Sequence, residues 1–128
     1  MSFEVGVEAH FTANHHLVGD FGPASLPHAH AYRVVVSVSG GVLGDDGTLF
    51  DITRLQQALG DVIADIDGAD LNDLAGVKLV APNPTAEVMA RFFFDRIAPT
   101  LAGQGLGRLE ARVWESPEAY AGYSGDLA

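Results

Sequence analysis

The chain has 128 residues, of which 48% are hydrophobic and 19% are charged, and this predicts one ordinary globular domain over residues 1–128. The absence of cysteine excludes disulfides, thiolate metal sites and a thiol nucleophile. Seven Lys and Arg against 17 Asp and Glu give a formal net charge of -10, which argues against a nucleic-acid partner or an anionic membrane surface.

The start of the chain carries no recognisable targeting segment. No basic residue precedes Arg33, so the charged region of a signal peptide is missing. The apolar stretches are short and are broken by Ser, Gly or Pro, whereas a membrane helix needs about 20 apolar residues. We therefore expect a cytoplasmic protein with no membrane partner.

Two stretches of alternating apolar and polar residues predict the first two strands. The first begins at Phe3 and has its apolar residues on odd positions. The second covers residues 29–39 and has its apolar residues on even positions from Tyr32 onward. A loop is predicted between the two strands over residues 14–27.

Two helices are predicted next. After Asp51, a residue type suited to capping a helix, apolar residues recur at helical spacing over residues 52–65. A second helix is predicted to begin near Asn83 and Pro84, and Pro99 should end or kink it.

The tail returns to strand-like alternation. Leu109 and Val113 lie on one parity, and a Ser-Pro turn then leads to a short aromatic segment at Tyr120 to Tyr123. The order strand, strand, helix, helix, strand, strand predicts an α+β fold with a four-stranded antiparallel sheet and two helices on one face.

All five histidines lie within the first 30 residues. His28 and His30 share the apolar parity of the second strand, and His15 extends the apolar parity of the first. Three inward imidazoles supply the nitrogens of a zinc site with an open fourth position. The alternative is that one or two of them are core or loop histidines bonded to the backbone. His10 and His16 have the opposite parity and are interpreted as surface or supporting residues.

Glu115 shares the parity of the apolar residues in its strand and is therefore expected to point inward. A buried carboxylate is costly unless donors surround it, and it could accept two hydrogen bonds from the amidine-like edge of a guanine or pterin ring. The alternative is a residue just past the strand end that turns to solvent. Glu87 has an equally ordinary explanation in the dipole of the second helix, and Asp67 in a solvated acidic loop.

Several segments together are similar to one protein family. Residues 11–17 (FTANHHL) and 28–32 (HAHAY) resemble the F-x-A-x-H-x-L and H-G-H-x-Y segments of the 6-pyruvoyl-tetrahydropterin synthase and 6-carboxytetrahydropterin synthase family. Downstream, residues 47–52, 67–72, 84–87 and 114–123 resemble the family's G-x-x-x-D-F, D-H-x-x-L-N, P-T-x-E and closing E-T segments in the same order.

The resemblance implies a T-fold, in which subunits close a β-barrel as trimers and usually stack as hexamers, with active sites at subunit boundaries. It implies that His15, His28 and His30 bind zinc and that Glu115 anchors the pterin ring. Thr85 and Glu87 are implied as neighbouring residues that recognise the ring or support the site.

The chain departs from the family pattern in its proton-transfer residues. The family's catalytic Cys is replaced by Ala24, and the His that follows Asp67 in the family is replaced by Gly68. Asp67 is retained, and we predict Asp67 and His16 as the catalytic residues. Zinc-bound water is a further substitute, as are Ser25 and Asp20 in the same loop.

These residues predict a zinc-dependent, lyase-like enzyme that acts on dihydroneopterin triphosphate or a related pterin, with altered proton-transfer residues. The first alternative is a pterin-binding homologue without catalysis, and the second is a structural oligomer in which zinc only supports folding. A triphosphate favours cationic partners, and only Arg33 lies near the histidine segments in the sequence.

Overall fold

The computed structural model describes residues 2–74 and 79–127. Its elements are β1 (Phe3–His15), β2 (His28–Gly40), α1 (Ile52–Ile66), α2 (Ala86–Leu101), β3 (Arg108–Ser116) and β4 (Ala119–Asp126), with 3-10 turns at Gly22–Ser25 and Leu71–Asp73. The strands form one antiparallel sheet in the order β1-β2-β3-β4. This confirms the predicted α+β fold of four antiparallel strands and two helices.

Both helices cover one face of the sheet, which we call the inner face. α1 packs on β1, and α2 packs on β3 and β4. The inner face carries the odd positions of β1 and β3 and the even positions of β2, as the alternation predicted. Its buried side chains include Phe11, Tyr32, Val34, Leu109 and Val113. Burial of this apolar face against the helices is the main stabilising term, and it fixes which side chains point inward.

β1 is longer than predicted. Asn14 and His15, expected in a loop, continue the strand because they pair with Ala29 and His28 at the start of β2. The alternation ends in polar residues here, so hydrophobic periodicity alone could not extend the strand to its last pair. The extension matters because it brings His15 directly opposite His28.

The two helices begin at side-chain caps. Asp51 accepts a hydrogen bond from the Thr53 N–H at 2.9 Å, as predicted for α1. The predicted start of α2 near Asn83 is slightly early, because the cap is Thr85, whose hydroxyl accepts from the Val88 N–H. Pro99 does not end α2, which continues to Leu101. Pro99 lies in the last turn of α2, so the backbone N–H that proline lacks removes only one hydrogen bond near the end of the helix.

A segment after α1, residues 67–72, lies along the free edge of β1, and we call it the strap. Gly68 N–H donates to the carbonyl of Thr12 at 2.6 Å, and Asn14 N–H donates to the carbonyl of Ala69 at 2.9 Å. The strap therefore satisfies backbone groups at the end of β1 that would otherwise need another strand. Nearer Phe3, the same edge of β1 has no strand partner among the described residues, and neither does the outer edge of β4.

Among residues 2–74 and 79–127, neither helix has the length and apolar content required to cross a membrane. The closure of a β-barrel by several subunits stays a prediction.

Candidate metal centre and active site

The register of β1 and β2 brings three imidazoles together at one end of the inner face. His15 is paired with His28, and His30 is paired with Ala13, two residues further along. The candidate ligand atoms of the three rings lie within 4.8 Å of one another. The ring centroids are 4.5 to 4.9 Å apart, so the histidines form one compact cluster.

Backbone carbonyls orient two of these rings. His15 Nδ1 lies 2.8 Å from the carbonyl oxygen of Pro84, and His28 Nδ1 lies 2.7 Å from that of Leu26. A carbonyl oxygen only accepts, so each Nδ1 must carry the proton and donate it. In the neutral rings the lone pair is then on Nε2, the arrangement that supporting hydrogen bonds give to metal-binding histidines.

His30 completes the cluster in a form suited to metal binding. Burial lowers the pKa of His30, and neighbouring His15 and His28 lower it further, while the charge and backbone of Glu115 oppose the shift. The net direction is downward, which favours the neutral ring, and a neutral imidazole is the ligand form. Within residues 2–74 and 79–127, the cluster offers three nitrogen donors and no fourth ligand, which fits zinc in an open site. The donor set of this structure therefore fits the metal that the resemblance implied.

Glu115 lies beside this cluster, at an irregularity in the sheet. The pairing of β3 with β4 shifts between Trp114 and Ser116, so Glu115 has no partner on β4. Such bulges re-aim the extra side chain. Glu115 is half-buried, and its charge acts on both His30 and Tyr32. Its position is thus close to the inward one that parity predicted.

Thr85 and Glu87 occupy the first turn of α2 but differ in exposure. The carbonyl of Pro84 accepts from His15 Nδ1, so Thr85 directly follows a residue that orients one ring of the histidine cluster. The Thr85 hydroxyl accepts from Val88 N–H and keeps its own proton available as a donor. Glu87 is exposed, where its charge favours the helix N-terminus.

The strap binds the polypeptide around His16 and Thr12. The Asp67 carboxylate accepts from Thr12 N–H at 3.0 Å and is exposed. The side chain of Asn72 accepts from the N–H of His16 at 2.9 Å and donates to its carbonyl at 3.0 Å. The backbone of His16 is therefore fixed next to the end of β1 that carries His15, while the side chain of His16 is half-buried. The sequence analysis did not single out Asn72. The available signal was the resemblance of residues 67–72 to the family's D-H-x-x-L-N segment, which ends in this Asn.

The loop after β1 folds back on itself. Leu17 N–H donates to the carbonyl of Ala24 at 2.8 Å. The hydroxyl of Ser25 donates to the carbonyl of Gly19 at 2.7 Å and accepts from Phe21 N–H at 3.1 Å. Ser25 is therefore already used in holding the loop, which makes it a poor substitute for a proton-transfer group.

Two residues named in the sequence analysis lie on the opposite face of the sheet. His10 is exposed beside Glu8, with 3.3 Å between its Nε2 and a carboxylate oxygen. Arg33 lies 3.5 Å from the same carboxylate and stacks on Trp114. Arg33 is thus directed away from the histidine cluster of its own chain.

A sequence profile described as 6-pyruvoyl tetrahydropterin synthase matches residues 4–126. The chain belongs to this family. It is 29% identical over 118 residues to a putative 6-carboxy-5,6,7,8-tetrahydropterin synthase of Pyrococcus horikoshii, covering 73% of this chain and 71% of that protein. It is 27% identical over 128 residues to the 6-pyruvoyl tetrahydrobiopterin synthase of Dictyostelium discoideum, covering 91% of each.

Solved structures share the fold. The crystal structure of 6-pyruvoyl tetrahydropterin synthase from Plasmodium vivax matches with a TM-score of 0.82 at 17% identity, and 99% of each chain is covered. That protein has also been solved as a variant in which alanine replaces a glutamate described as a catalytic residue. This likeness extends to the fold alone, and it confirms the T-fold predicted from the sequence motifs.

Proposed function

We propose that this protein binds zinc through His15, His28 and His30 and acts on a pterin, either dihydroneopterin triphosphate or a relative. The observation that supports the proposal most strongly is the pair of contacts from Nδ1 of His15 and His28 to backbone carbonyls. These contacts leave the lone pair of each ring on Nε2, where it can bind a metal ion. Histidines that serve only core packing have no need to bring three candidate ligand atoms within 4.8 Å of one another.

Glu115 would bind the ring of the pterin. Its carboxylate has acceptor capacity on both oxygens and can receive a ring N–H and the adjacent amino group in parallel. The influence of Glu115 on His30 supports this role, since a ring held by Glu115 would have its side chain close to the histidine cluster. Thr85 would donate to the ligand from the start of α2, and Glu87 would support this end of the site.

A bound zinc ion supplies a Lewis acid that polarises oxygens of the substrate side chain. The chain itself must move the protons. We propose His16 and Asp67 for this role, since the strap fixes the backbone of His16 at the metal end of β1. The carboxylate of Asp67 is exposed at the edge of the sheet, where it can reach a neighbouring subunit.

The lack of cysteine does not exclude turnover. The Plasmodium vivax synthase has a glutamate as a catalytic residue, so a carboxylate serves in at least one protein of this fold. In the present chain the exposed Asp20 is the carboxylate nearest in sequence to Ala24. It is a candidate beside His16 for the missing thiol.

The second candidate function is pterin binding without catalysis. It is favoured by Ala24 and Gly68, which carry no group able to transfer a proton, and by the local hydrogen bonds of Ser25. A third candidate, an oligomer in which zinc supports folding alone, does not explain the inward carboxylate of Glu115.

Incubation of the zinc-loaded protein with dihydroneopterin triphosphate separates these functions. An enzyme releases a new 6-substituted pterin, which chromatography and mass spectrometry identify. A binding protein retains the ligand unchanged, and an oligomer with structural zinc neither binds nor converts it. His16→Ala then tests the proton-transfer assignment, because unchanged turnover in that variant would remove His16 from the mechanism.

We also propose that the protein is a homo-oligomer, a hexamer built from two trimers. The Phe3 end of the β1 edge and the outer edge of β4, which have no strand partner in the described part of the chain, are the surfaces by which neighbouring sheets would join. Light scattering coupled to gel filtration measures this directly. The proposal predicts six times 13.5 kDa; three times that mass would show a trimer that does not stack, and any other mass would contradict the trimer as well.

A further inference from the structure

Asn83 holds the loop after β1 through both ends of its side-chain amide. Its Oδ1 accepts a hydrogen bond from the N–H of Val18 at 2.9 Å, and its Nδ2 donates to the carbonyl of the same residue at 3.2 Å. Hydrogen bonds weaken steeply when they bend, so two bonds between one amide and one residue fix both their distance and their orientation. The sequence analysis placed Asn83 only near the start of α2, where the cap is Thr85.

The residue after Asn83 contacts a ring of the histidine cluster. The carbonyl of Pro84 accepts from Nδ1 of His15 at 2.8 Å, and both residues are buried. Residues 83 and 84 therefore contact the same stretch of chain at two points, the side chain of His15 and the backbone of Val18. This pair of contacts ties the position of the carbonyl to that of the ring it orients.

The backbone between these two contacts has little freedom. The pyrrolidine ring restricts φ of Pro84. The N–H of Thr85 donates to the carbonyl of Asn83 at 2.9 Å, which closes a tight turn around Pro84. Thr85 is itself fixed as the cap of α2. The Pro84 carbonyl is therefore held between α2 on one side and the amide of Asn83 on the other.

The position of this carbonyl decides which nitrogen of His15 carries the proton. With Pro84 in place, Nδ1 donates to the carbonyl, and the lone pair is on Nε2. Nδ1 also lies 3.4 Å from the buried hydroxyl of Tyr32. If the carbonyl moved away, Nδ1 could accept from that hydroxyl, and the ring proton would then be on Nε2, where it would exclude a metal ion.

We propose that Asn83 is a positioning residue of the metal site, which acts through the carbonyl of Pro84 to keep the lone pair of His15 on Nε2. This inference rests on the proposed role of His15 as a zinc ligand. Asn83 itself contacts neither the ring nor a metal, so its effect on zinc binding is transmitted through the backbone of Pro84.

Asn72 provides a matched comparison for the same loop. Its side chain makes the same pair of bonds to the backbone of His16, at 2.9 and 3.0 Å. Asn72 lies on the strap rather than beside Pro84. Its loss therefore removes as many hydrogen bonds from the loop without releasing the carbonyl that orients His15.

Asn83→Ala and Asn72→Ala should differ in zinc affinity, measured by competition with a chromophoric chelator. We expect Asn83→Ala to weaken zinc binding about 10-fold and Asn72→Ala by less than about threefold, since supporting contacts in metal sites act on the ligand they orient. Asn14→Ala is the control and should bind zinc as the unaltered protein does, because its side chain is exposed. Equal weakening by the Asn83 and Asn72 substitutions would mean that zinc binding needs only an anchored loop, and the proposal would be overturned. Unchanged affinity in Asn83→Ala would overturn it too.

The proton position on His15 is a readout that loss of loop anchoring alone would not move. Nitrogen–proton correlation spectra of the zinc-free protein at about pH 8.5, where histidine side chains are neutral, distinguish the two forms of each ring. We expect the His15 resonances to shift toward the Nε2-protonated form in Asn83→Ala but not in Asn72→Ala. The His28 resonances should stay unchanged, because the carbonyl of Leu26 orients that ring. Folded and unfolded molecules give separate signals, so a less stable variant still gives an answer, and an unshifted His15 would refute the proposal.

A double-mutant cycle with His15→Ala separates this inference from the proposed function. If Asn83 acts through His15, Asn83→Ala should change zinc affinity by less than about twofold in the His15→Ala background. Additive losses would mean that Asn83 acts on another part of the site, and the inference would be wrong. If His15→Ala weakens zinc binding while Asn83→Ala does not, only this inference fails. If His15→Ala has no effect, the proposed metal site fails together with it.

Discussion

The histidine cluster on the inner face and the adjoining loop, residues 16–27, differ in whether their polar groups remain available to a ligand. In the histidine cluster, the Nδ1 atoms of two rings contact backbone carbonyls, which leaves the lone pair on Nε2, and the candidate ligand atoms of the three rings lie within 4.8 Å of one another. In the adjoining loop, the hydroxyl of Ser25 is consumed by local backbone groups, and position 24 holds only a methyl group. The hydrogen bond from the Leu17 N–H to the carbonyl of Ala24 closes this loop.

The difference supports the proposal that this chain has kept the binding part of the family site. Two of the rings that would bind a metal are oriented by backbone carbonyls and keep a free lone pair on Nε2. Beside them, position 24 offers no proton-transfer group and Ser25 is committed to holding the loop, which leaves His16 and Asp20 as the candidates to replace the missing thiol. Binding and proton transfer can therefore be perturbed separately, and the following predictions do so.

The largest expected effect is on metal binding. His28→Ala removes one of three nitrogen donors and should weaken zinc binding by more than about 100-fold, since loss of a supporting contact alone costs 10- to 100-fold in comparable sites. Competition with a chromophoric chelator measures the affinity. His10→Ala is the control, because His10 is exposed on the opposite face. Retention of zinc by His28→Ala would separate the metal site from this cluster.

Glu115→Gln should weaken ligand binding next. The variant replaces two acceptor oxygens by one acceptor and one donor, so the neopterin dissociation constant should rise about 10- to 100-fold while zinc affinity is unchanged. Glu118→Gln serves as the control, since Glu118 is exposed in the turn between β3 and β4. A similar loss in both variants would point to net charge and would contradict the specific role of Glu115.

The strap should contribute mainly to stability. Asn72→Ala removes two hydrogen bonds to the backbone of His16 and should lower the free energy of unfolding by about 2 kcal/mol in urea titrations. Gln56→Ala, on the exposed side of α1, should change it by less than about 0.5 kcal/mol. An Asn72→Ala protein as stable as the control variant would show that the strap does not hold the end of β1.

The smallest expected effect concerns Gly68, which replaces the family's His. Gly68 has φ of 77°, a left-handed conformation that costs other residues about 1 kcal/mol or more. Gly68→Ala should therefore lower the free energy of unfolding by about 1 kcal/mol, although space around its Cβ is open. Unchanged stability would mean that the backbone here relaxes readily. The conformation also explains why restoring histidine at this position carries a cost to the fold.

Hydrophobic alternation predicted the sheet, its inner face and the inward direction of His15, His28 and His30, because burial of apolar side chains sets all three. It did not reveal the carbonyls of Leu26 and Pro84 as partners of the rings, since those contacts join residues that are distant in sequence or lack a polar side chain.

The same limit applied to element ends. The extension of β1 to His15 and the cap of α2 at Thr85 depend on specific hydrogen-bond partners, and periodicity contains no information about them. The strap is a similar case, because its role arises from the backbone of β1 rather than from its own composition.

Metal analysis of the unaltered protein tests the central claim most directly. Protein purified without chelator and measured by inductively coupled plasma mass spectrometry should contain about one zinc per chain, as expected for one cluster of three neutral imidazoles. A zinc content well below one per chain, unchanged after incubation with excess zinc and removal of the free metal, would contradict the account.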